Sequence, residues 1–343
     1  MATLKDVARK AGVSVSTVSR VFNDPEKVRP DTRQRVREAS EALNYKPSRV
    51  ARRLRMQTGE TNLIGLIIPD MQNPFFAEVA RGVEDVARDH NYALILSNSD
   101  EDPDKQKLAL DTLRTEDVDG VIVPPVGLGD PAVTDFAESS IPIVCVDRRM
   151  EDLHLDTILS DNRQGAYDAV THLIELGHER IAFIGGIARI STHTERREGY
   201  KAALRDHDLS VTPALVKEGA LHRERGKDHT EALLNLDRPP TALFTGNNLT
   251  TLGALSALSQ LGVRVPEDLA LVGYDDIPWA GALNPPPTVI DQPSYEMGQR
   301  AAELLLQRFD NPDRSPTDVT LQPKLVVRQS CGAATDSSFG PTK

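Results

Sequence analysis

Hydrophobic residues recur at helical spacing from the start of the chain. Thr3 and Asp6 form a capping-box pattern, in which a hydroxyl and an acidic side chain three positions later bind the free amides of a helix start. An apolar stripe follows at positions i, i+3, i+4 and i+7: Leu4, Val7, Ala8 and Ala11. Gly12 ends the pattern, since glycine readily takes the left-handed conformation that terminates helices. The pattern predicts a short helix packed on one face.

A second helix is predicted directly after this turn, with Ser14 as a favourable N-cap. The spacing leaves Ser16, Thr17 and Arg20 outward. Hydroxyls reach phosphates or base edges, and an arginine can pair with guanine in the major groove. The two helices therefore predict a helix-turn-helix that contacts DNA. The residues expected to face inward are Val15, Val18, Val21 and Phe22.

A third helix is predicted to begin at Pro30, a favourable first-turn residue, and to reach Leu43. Residues 47–54 can then form only about two helical turns, fewer than an isolated helix needs to persist in water. The segment needs a partner, and its arginines favour DNA phosphate while its apolar residues favour a second copy of itself. The arginines are Arg49, Arg52, Arg53 and Arg55, and the apolar residues are Val50, Ala51 and Leu54.

Charge separates this N-terminal segment from the rest of the chain. Residues 1–60 hold 14 Lys and Arg against 7 Asp and Glu, a net charge of +7, although the whole chain carries −11. So basic a segment in an acidic chain favours contact with nucleic acid. Phe22 and Tyr45 are its only aromatic residues, which favours duplex DNA over stacking on single-stranded bases.

From residue 62 onward, short apolar runs alternate with amphipathic stretches, a pattern typical of βαβ units with buried parallel strands. At 343 residues the chain is too long for one ordinary core and suits a small head plus two lobes. The predicted fold class is therefore α/β, with two doubly wound lobes of parallel sheet. The predicted strands are Leu63–Ile68, Tyr92–Leu96, Val121–Val123, Ile143–Val146, Ile181–Ile184, Ala242–Phe244 and Leu269–Val272. The predicted helices are Phe75–His90, Lys105–Thr115, Gln164–Leu176, Thr194–His207, Leu249–Leu261 and Tyr295–Phe309.

Composition narrows the function classes. Cys145 and Cys331 lie far apart and predict no disulfide framework, as expected in a reducing cytoplasm. The N-terminus lacks an apolar signal core, and the longest apolar stretch is far too short to span a membrane. There is no nucleophile elbow, phosphate loop or full dinucleotide fingerprint, and the eight histidines lack metal-ligand spacing. We expect a cytoplasmic protein with no membrane partner, catalytic residue, cofactor or metal.

Two stretches, TLKDVARKAGVSVSTVSRVFN and VRPDTRQRVREASEALNYKPSRVARRL, resemble the head and hinge of the LacI/GalR family of bacterial transcription regulators. NPFFAEVARGVE, VDGVIVPP, LGHERIAFIGG, REGYKAAL, FTGNN and LVGYDDIPWA resemble the ligand-binding core of the same family. Together the motifs are far more specific than a lone helix-turn-helix pattern. The resemblance implies a helix-turn-helix headpiece and a hinge helix, joined to a two-lobed core like that of periplasmic binding proteins.

The resemblance also implies domain boundaries. The headpiece would span residues 1–46 and the hinge 47–61, with one lobe formed by 62–161 and 291–321 and the other by 162–290 and 322–330. Crossovers between lobes are expected near Asp161, Asp291 and Gln322. A ligand cleft there has a physical reason too, because open parallel sheets bind ligands outside the carboxyl ends of their strands. The polar residues 331–343 lack heptads and predict a disordered tail, so we expect a dimer.

A regulator of this family is expected to act as a homodimer on double-stranded operator DNA. The recognition helices would enter successive major grooves, and the hinge helices the central minor groove, where Leu54 would wedge between base pairs. A small effector in the cleft would change the hinge separation and so the DNA affinity. The expected DNA contacts are Thr3, Ser14, Val15, Ser16, Thr17, Arg20, Asn23, Arg29, Tyr45, Ser48, Arg49, Ala51, Arg52, Leu54 and Arg55.

The candidates for effector contact are Phe75, Asp147, Arg196, Asn247, Asp275 and Trp279. The rings of Phe75 and Trp279 can each stack on a ligand. The alternatives are core packing for Phe75, and burial or packing in a dimer for Trp279. Asp147, Asn247 and Asp275 each follow a predicted strand, but an ion pair with the next residue is an alternative for Asp147. Arg196 matches the arginine that family members place in the cleft, and its alternative is a solvated helix charge. Asn248 departs from the aspartate that is more frequent in the family, which blurs the ligand assignment.

This mixture of donors, acceptors and an aromatic plate suits a neutral polyhydroxylated ligand, so a monosaccharide or small glycoside is the leading expectation. A purine remains an alternative, as does a sugar phosphate near Arg189, although Gly185-Gly186 more simply forms a tight turn. Residues 95–100 also resemble regulators that take a phosphorylated carrier protein as corepressor. The resemblance implies repression that an inducer relieves. In purine-type members of the family the ligand has the opposite effect and strengthens repression. A sugar-processing enzyme or a solute-binding protein is disfavoured by the missing catalytic motifs and by the basic head.

Overall fold

The structure is a computed structural model that describes residues 2–23, 25–45 and 61–333. The chain divides into two compact units, Met1–Thr61 and Asn62–Lys343. The described part of the first unit contains helices α1 (Leu4–Ala11), α2 (Val15–Asn23) and α3 (Pro30–Ala42), with a short 3-10 turn at Pro25–Lys27.

The predicted start and end of α1 are confirmed. The Thr3 hydroxyl accepts from the Asp6 amide while the Asp6 carboxylate accepts from the Thr3 amide, and Gly12 closes the helix at φ 65°. Val7, Val18 and Val36, one from each helix, are fully buried against one another. A core this small still suffices to fix the angle between α1 and α2, which sets the geometry of a helix-turn-helix.

The second unit contains two six-stranded sheets, which define lobe one and lobe two. The strands of lobe one are β1 (Leu63–Ile68), β2 (Ala93–Asn98), β3 (Gly120–Val123), β4 (Ile143–Val146), β5 (Asp156–Ser160) and β11 (Asp318–Leu321), and those of lobe two are β6 (Ile181–Gly185), β7 (Val216–Glu218), β8 (Ala242–Thr245), β9 (Ala270–Tyr274), β10 (Thr288–Asp291) and β12 (Lys324–Val326). The sheet orders are β11-β5-β4-β3-β1-β2 and β12-β10-β9-β8-β6-β7. All neighbours are parallel except β10 and β12.

Helices cover both faces of each sheet, as parallel sheets require. Lobe one carries α4 (Pro74–Asp89), α5 (Pro103–Thr115), α6 (Pro131–Ala137) and α11 (Ser294–Asp310), and lobe two carries α7 (Asn162–Glu175), α8 (Ser191–Asp206), α9 (Arg223–Leu234) and α10 (Asn248–Leu261). In lobe one, α4 and α11 approach to backbone contact, because a Cβ atom on Gly298 would lie 2.0 Å from the Val79 carbonyl oxygen.

The chain passes between the lobes three times. It leaves lobe one after β5 and enters α7, returns after β10 to α11, and passes to lobe two again between β11 and β12. Two of the three crossovers connect a strand's carboxyl end to a helix start. The carboxyl ends of the central strands in both sheets therefore border the space between the lobes, which is where parallel sheets bind ligands.

The predicted tail begins too early. Ser330 and Cys331 are buried in lobe two, and the Ser330 hydroxyl donates to the Leu271 carbonyl at 2.6 Å. The Cys331 thiol accepts from the Thr288 hydroxyl at 3.1 Å. The expectation of disorder is wrong for residues 331–333. Ser330, just before them, is bonded to β9, and Cys331 is bonded to β10. Residues 334–343 lie outside the described part.

Candidate functional site

The N-terminal unit presents a hydroxyl cluster at the start of α2. The Ser14 hydroxyl oxygen accepts from the Thr17 amide at 3.0 Å and lies 2.8 Å from the hydroxyls of both Ser16 and Thr17. A helix start with free amides and hydroxyls is suited to a phosphate oxygen. Arg20 is exposed one turn further along α2. We call Ser14, Val15, Ser16, Thr17 and Arg20 the recognition face.

One residue of α2 departs from the predicted inward set. Val15 is 40 % exposed, whereas Val18 and Val21 are buried and Phe22 is partly buried. Val15 is the first residue of α2 and lies between the exposed residues Ser14 and Ser16, so we place it on the recognition face.

The remaining expected DNA contacts of the head differ in exposure. Thr3 and Arg29 are exposed, and the ring of Tyr45 packs 6.1 Å from the ring of Phe22. Asn23 is the last residue of α2. The other expected contacts, Ser48, Arg49, Ala51, Arg52, Leu54 and Arg55, lie outside the described residues.

A cavity of about 750 Å³ lies between lobe one and lobe two. Its volume is in the range of small-molecule sites. The structure brings five of the six predicted effector contacts into its lining: Phe75, Asp147, Arg196, Asn247 and Asp275. The segments that follow β1, β2, β4, β6, β8 and β9 all contribute to the wall, so the site is built from strand ends of both sheets.

Asp275 is a buried carboxylate directly after β9. The chain turns there with φ 66°, in the left-handed region, which directs the residue away from the strand. One carboxylate oxygen accepts from the Gln292 amide at 2.6 Å. Burial raises the pKa of Asp275 to about 6, against the opposing effect of the Arg196 guanidinium. Since ionisation in place is unfavourable, donors from a ligand would stabilise the charged form.

Asp147 occupies the equivalent position after β4 in lobe one, with φ 68°. Burial raises the pKa of its carboxyl, although Arg148 and Arg196 oppose the shift. The neighbouring Arg148 donates to both carboxylate oxygens of Glu101, at 2.7 and 2.5 Å, and more weakly to Asp147 at 3.3 Å. The ion pair expected as an alternative for Asp147 is thus present but secondary, because Glu101 is the main partner of Arg148.

Arg196 on α8 is buried and fixed by three contacts within lobe two. Its Nε donates to the Asn162 side-chain oxygen at 2.8 Å and its Nη1 to the Gly246 carbonyl at 2.5 Å. The guanidinium lies 3.7 Å from the centre of the Tyr274 ring, a cation–π contact. The side chain is therefore not the solvated helix charge considered as its alternative. It both lines the cavity and holds α7, α8 and the end of β8 together.

Replacing Arg196 by Met should therefore reduce the stability of the chain as well as effector binding. The change leaves the Asn162 and Gly246 oxygens without donors, and each lost bond to a buried acceptor costs about 1–3 kcal/mol. We expect the free energy of unfolding, measured by urea titration, to fall by about 2–4 kcal/mol in total. Arg197→Met is the control, because Arg197 pairs with Glu218 at the surface. Equal stability of the two variants would show that Arg196 has no structural role.

Asn247 caps α10 and also lines the cavity. Its side-chain oxygen accepts from the Thr250 amide at 2.9 Å, and its Nδ2 donates to the Leu221 carbonyl at 3.1 Å. The next residue, Asn248, donates from Nδ2 to the side-chain oxygen of Asn73 at 2.9 Å, across the lobes. An aspartate at position 248 could not donate this bond while ionised, so the departure from the family pattern has a structural consequence here.

The aromatic candidates do not form an open stacking plate. Phe75 lines the cavity but is buried, with its ring 4.9 Å from Phe76 in an edge-to-face pair, so the core packing considered as its alternative is also present. Trp279 is 48 % exposed and does not line the cavity. The structure therefore does not bring Trp279 together with the other five predicted contacts; it lies four residues beyond Asp275, in an irregular segment. It is also not buried.

Glu101, His193 and Gln292 are among the cavity residues that were not predicted, and Asn162, the partner of Arg196, was not predicted either. Burial, reinforced by Arg148 and Arg196, lowers the pKa of His193 well below its ordinary value, so its ring is neutral. Glu101 and Gln292 lie next to a strand end or a crossover, a position that could have indicated them. His193 gives no such signal, since it lies within the first turn of α8.

The charges of the cavity are unequally available. Arg148 is bound by Glu101, Arg196 by the contacts within lobe two, and Arg189 by carbonyl oxygens of Val126 and Glu101 at 3.2 Å. Asp275, by contrast, has no cation within salt-bridge distance among the described residues. The cavity therefore offers free acceptors and few free cations, an arrangement suited to a ligand rich in hydroxyl donors.

Two further findings concern membranes and metal ions. In the described ranges, no helix combines the length and apolar character needed to cross a membrane. Within the same ranges, no group of three or more His, Cys, Asp or Glu side chains is placed to hold a metal ion.

Comparison with known proteins identifies families, relatives and solved structures to which the chain is similar. Residues 3–48 match the family described as bacterial regulatory proteins, lacI family, and residues 61–329 match the periplasmic binding proteins and sugar binding domain of LacI family. The chain is 38 % identical over 331 residues to the HTH-type transcriptional repressor PurR of Aliivibrio salmonicida, covering 96 % of this chain and 99 % of that protein. It is also 38 % identical over 332 residues to the ribose operon repressor of Haemophilus influenzae, covering 96 % and 98 %. The lac repressor dimer bound to operator and the anti-inducer ONPF is similar in structure, with TM-score 0.84, 28 % identity and coverage of 97 % and 99 %.

Proposed function

The chain belongs to the LacI family of bacterial regulatory proteins, and from this premise we propose that it is a repressor released from its operator by a neutral, sugar-like effector. Family membership makes it a DNA-binding transcriptional regulator and not an enzyme. The effector and the sign of its action are the proposed part. We propose the bacterial cytoplasm, where operator DNA is found, as its site of action.

The observation that carries the sugar proposal is the pairing of every described cavity arginine. Arg148, Arg189 and Arg196 already donate to protein acceptors, so an anionic ligand would compete with these acceptors for the same guanidinium groups. Asp147 and Asp275 are buried carboxylates that gain from hydroxyl donors. A neutral polyol supplies such donors, whereas a phosphate group adds negative charge and acceptor oxygens beside the two carboxylates.

A purine is the second candidate, because a relative of 38 % identity over nearly the whole chain is named a PurR repressor. The cavity lacks one feature that would favour a planar ring. Phe75 is 5 % exposed and packs edge-to-face with Phe76 in the lobe-one core, so little of its ring is open to a planar ligand. The ribose operon repressor is equally similar, and the balance of cavity chemistry favours the sugar.

We propose that two copies bind one operator through their heads. The recognition face and Thr3, Asn23, Arg29 and Tyr45 are the proposed contacts of residues 1–46, and the hinge residues Ser48, Arg49, Ala51, Arg52, Leu54 and Arg55 the contacts of 47–61. Residues 62–330 form the effector-binding core. Two exposed apolar side chains support self-association, since such residues favour burial in an interface: Leu96 on the edge strand β2, and Met71 in the turn after β1, whose amide donates to Asn98 at the end of β2.

A thermal-shift screen of the full chain tests the effector class. The panel pairs D-ribose with ribose 5-phosphate and D-glucose with glucose 6-phosphate, and includes adenine, guanine and hypoxanthine. We expect one neutral sugar to stabilise the chain while its phosphate does not; at 100 times its dissociation constant a ligand adds about 2.7 kcal/mol. Stabilisation by a purine or a sugar phosphate, with none by neutral sugars, would refute the sugar proposal.

A further inference from the structure

Arg189 bonds lobe two to lobe one at the rim of the cavity. It lies between β6 and α8, and its side chain is exposed on one side. Its Nε donates to the Val126 carbonyl and its Nη2 to the Glu101 carbonyl, both at 3.2 Å. Its own carbonyl accepts from the Leu128 amide at 3.2 Å. These three partners belong to lobe one, so a single residue supplies three hydrogen bonds between the lobes.

The contacts of Arg189 are distinct from the chain crossovers. The crossovers lie at Asp161, Asp291 to Pro293 and Gln322, whereas Arg189 meets the segments that follow β2 and β3. Other side chains also join the lobes directly: Arg149 donates to the Glu195 carboxylate at 2.6 Å, and Asn248 donates to the Asn73 side-chain oxygen at 2.9 Å. The lobes are thus tied directly across the cavity, as well as through the chain itself.

We propose that Arg189 is a positioning residue that holds the two lobes together, and so sets how tightly and how fast the effector binds. A ligand that touches both lobes binds the closed arrangement, and its apparent affinity falls with the fraction of molecules that are closed. The role differs from phosphate binding, because the Nε and Nη2 groups of Arg189 donate to main-chain oxygens of lobe one. Only the effect on ligand binding rests on the proposed function.

A distance measurement on the full chain without any ligand tests the lobe contact. Nitroxide labels are attached at Asp104→Cys in lobe one and Asp228→Cys in lobe two, both exposed, while Cys145 and Cys331 are buried. Double electron–electron resonance should give a longer mean distance in Arg189→Ala than in the parent. Arg197→Ala, whose arginine pairs with Glu218 within lobe two, should match the parent. An unchanged distance in Arg189→Ala would overturn the proposal.

Arg189→Lys separates charge from geometry. Lysine keeps the positive charge but has no planar fork to reach both carbonyl oxygens, so its distance should resemble that of Arg189→Ala. If the distance in Arg189→Lys equals that of the parent, the paired hydrogen bonds of the guanidinium are not what holds the lobes together, and the proposal is overturned in this form.

Binding kinetics provide the second readout, with D-ribose as the probe. In Arg189→Ala the association and dissociation rates should both rise, since the lobes open more often, and affinity should weaken by up to about tenfold. A rise in the dissociation rate alone would identify Arg189 as a direct sugar contact and overturn the positioning role. If D-ribose does not bind the parent, D-ribose is not the effector, and the distance measurement decides the role of Arg189.

Discussion

Asp275→Asn should weaken effector binding by about 100-fold while making the unliganded chain more stable at neutral pH. A hydrogen bond to a charged group contributes about 1.5–3 kcal/mol, and the substitution removes the buried charge that would accept ligand hydroxyls. Asparagine keeps the side-chain oxygen that accepts from Gln292 at 2.6 Å. Titration calorimetry with the sugar identified in the screen measures the affinity.

The stability change follows from the raised pKa of Asp275, about 6 in the folded chain against an ordinary 3.8. Below pH 3.8 the carboxyl is protonated in both folded and unfolded chains and costs nothing. As pH rises to 6, only the unfolded chain ionises freely, so folding loses free energy, and the full loss of about 3 kcal/mol persists above pH 6. Asp275→Asn should remove this loss, so its advantage over the parent grows between pH 4 and pH 6.

Asp276→Asn is the matched control for Asp275→Asn. The adjacent Asp276 carboxylate is bound by Arg328, at 2.8 and 2.5 Å, and does not line the effector cavity. This variant should lose a little stability and keep its effector affinity. Parent-like affinity in Asp275→Asn, or equal losses in the two variants, would mean that Asp275 does not bind the effector.

Arg20→Ala should relax the preference for one operator base pair by about 1–3 kcal/mol, because a bidentate contact to guanine would be lost. Fluorescence anisotropy with a set of single-base operator variants measures the effect. Arg37→Ala, an exposed arginine on α3, removes the same charge away from the recognition face. Any loss of affinity in Arg37→Ala should be the same for all duplexes. A uniform loss in Arg20→Ala would make Arg20 a phosphate contact.

Much of the fold could be predicted because the central strands are continuous apolar runs. The predicted Leu63–Ile68 and Ile143–Val146 match β1 and β4 at both ends. The strands that were missed are short or carry polar residues. For example, β11 (Asp318–Leu321) alternates exposed and half-buried positions at a sheet edge, and only pairing with β5 makes it a strand. Local pattern contains no information about that pairing.

Helix α9 was missed for a related reason. Its sequence RERGKDHTEALL contains few apolar residues, and only Gly226, Thr230 and Leu233 are buried. The helix is held by backbone contact with α10, since a Cβ atom on Gly253 would lie 2.1 Å from the Arg223 carbonyl oxygen. Glycine at such a contact lowers helix propensity while it permits the packing, so propensity and tertiary structure oppose each other here.

The candidate site was predictable where a polar residue directly follows a buried strand. That rule placed Asp147, Asn247 and Asp275 in one cavity, because carboxyl ends of parallel strands share an edge. It failed for Trp279, which lies four residues beyond Asp275 in an irregular segment. It also could not find Glu101, whose role depends on meeting Arg148 from another strand end.

We propose that the chain binds a specific operator and that a neutral sugar weakens this binding. Fluorescence anisotropy of the full chain with duplexes tiling its own upstream region tests it directly, with and without the sugar from the screen. We expect one preferred, pseudo-palindromic duplex, an affinity that falls steeply with salt as counterions are released, and weaker binding when the sugar is present. Equal binding to every duplex, or a preferred duplex whose affinity the sugar leaves unchanged, would contradict it.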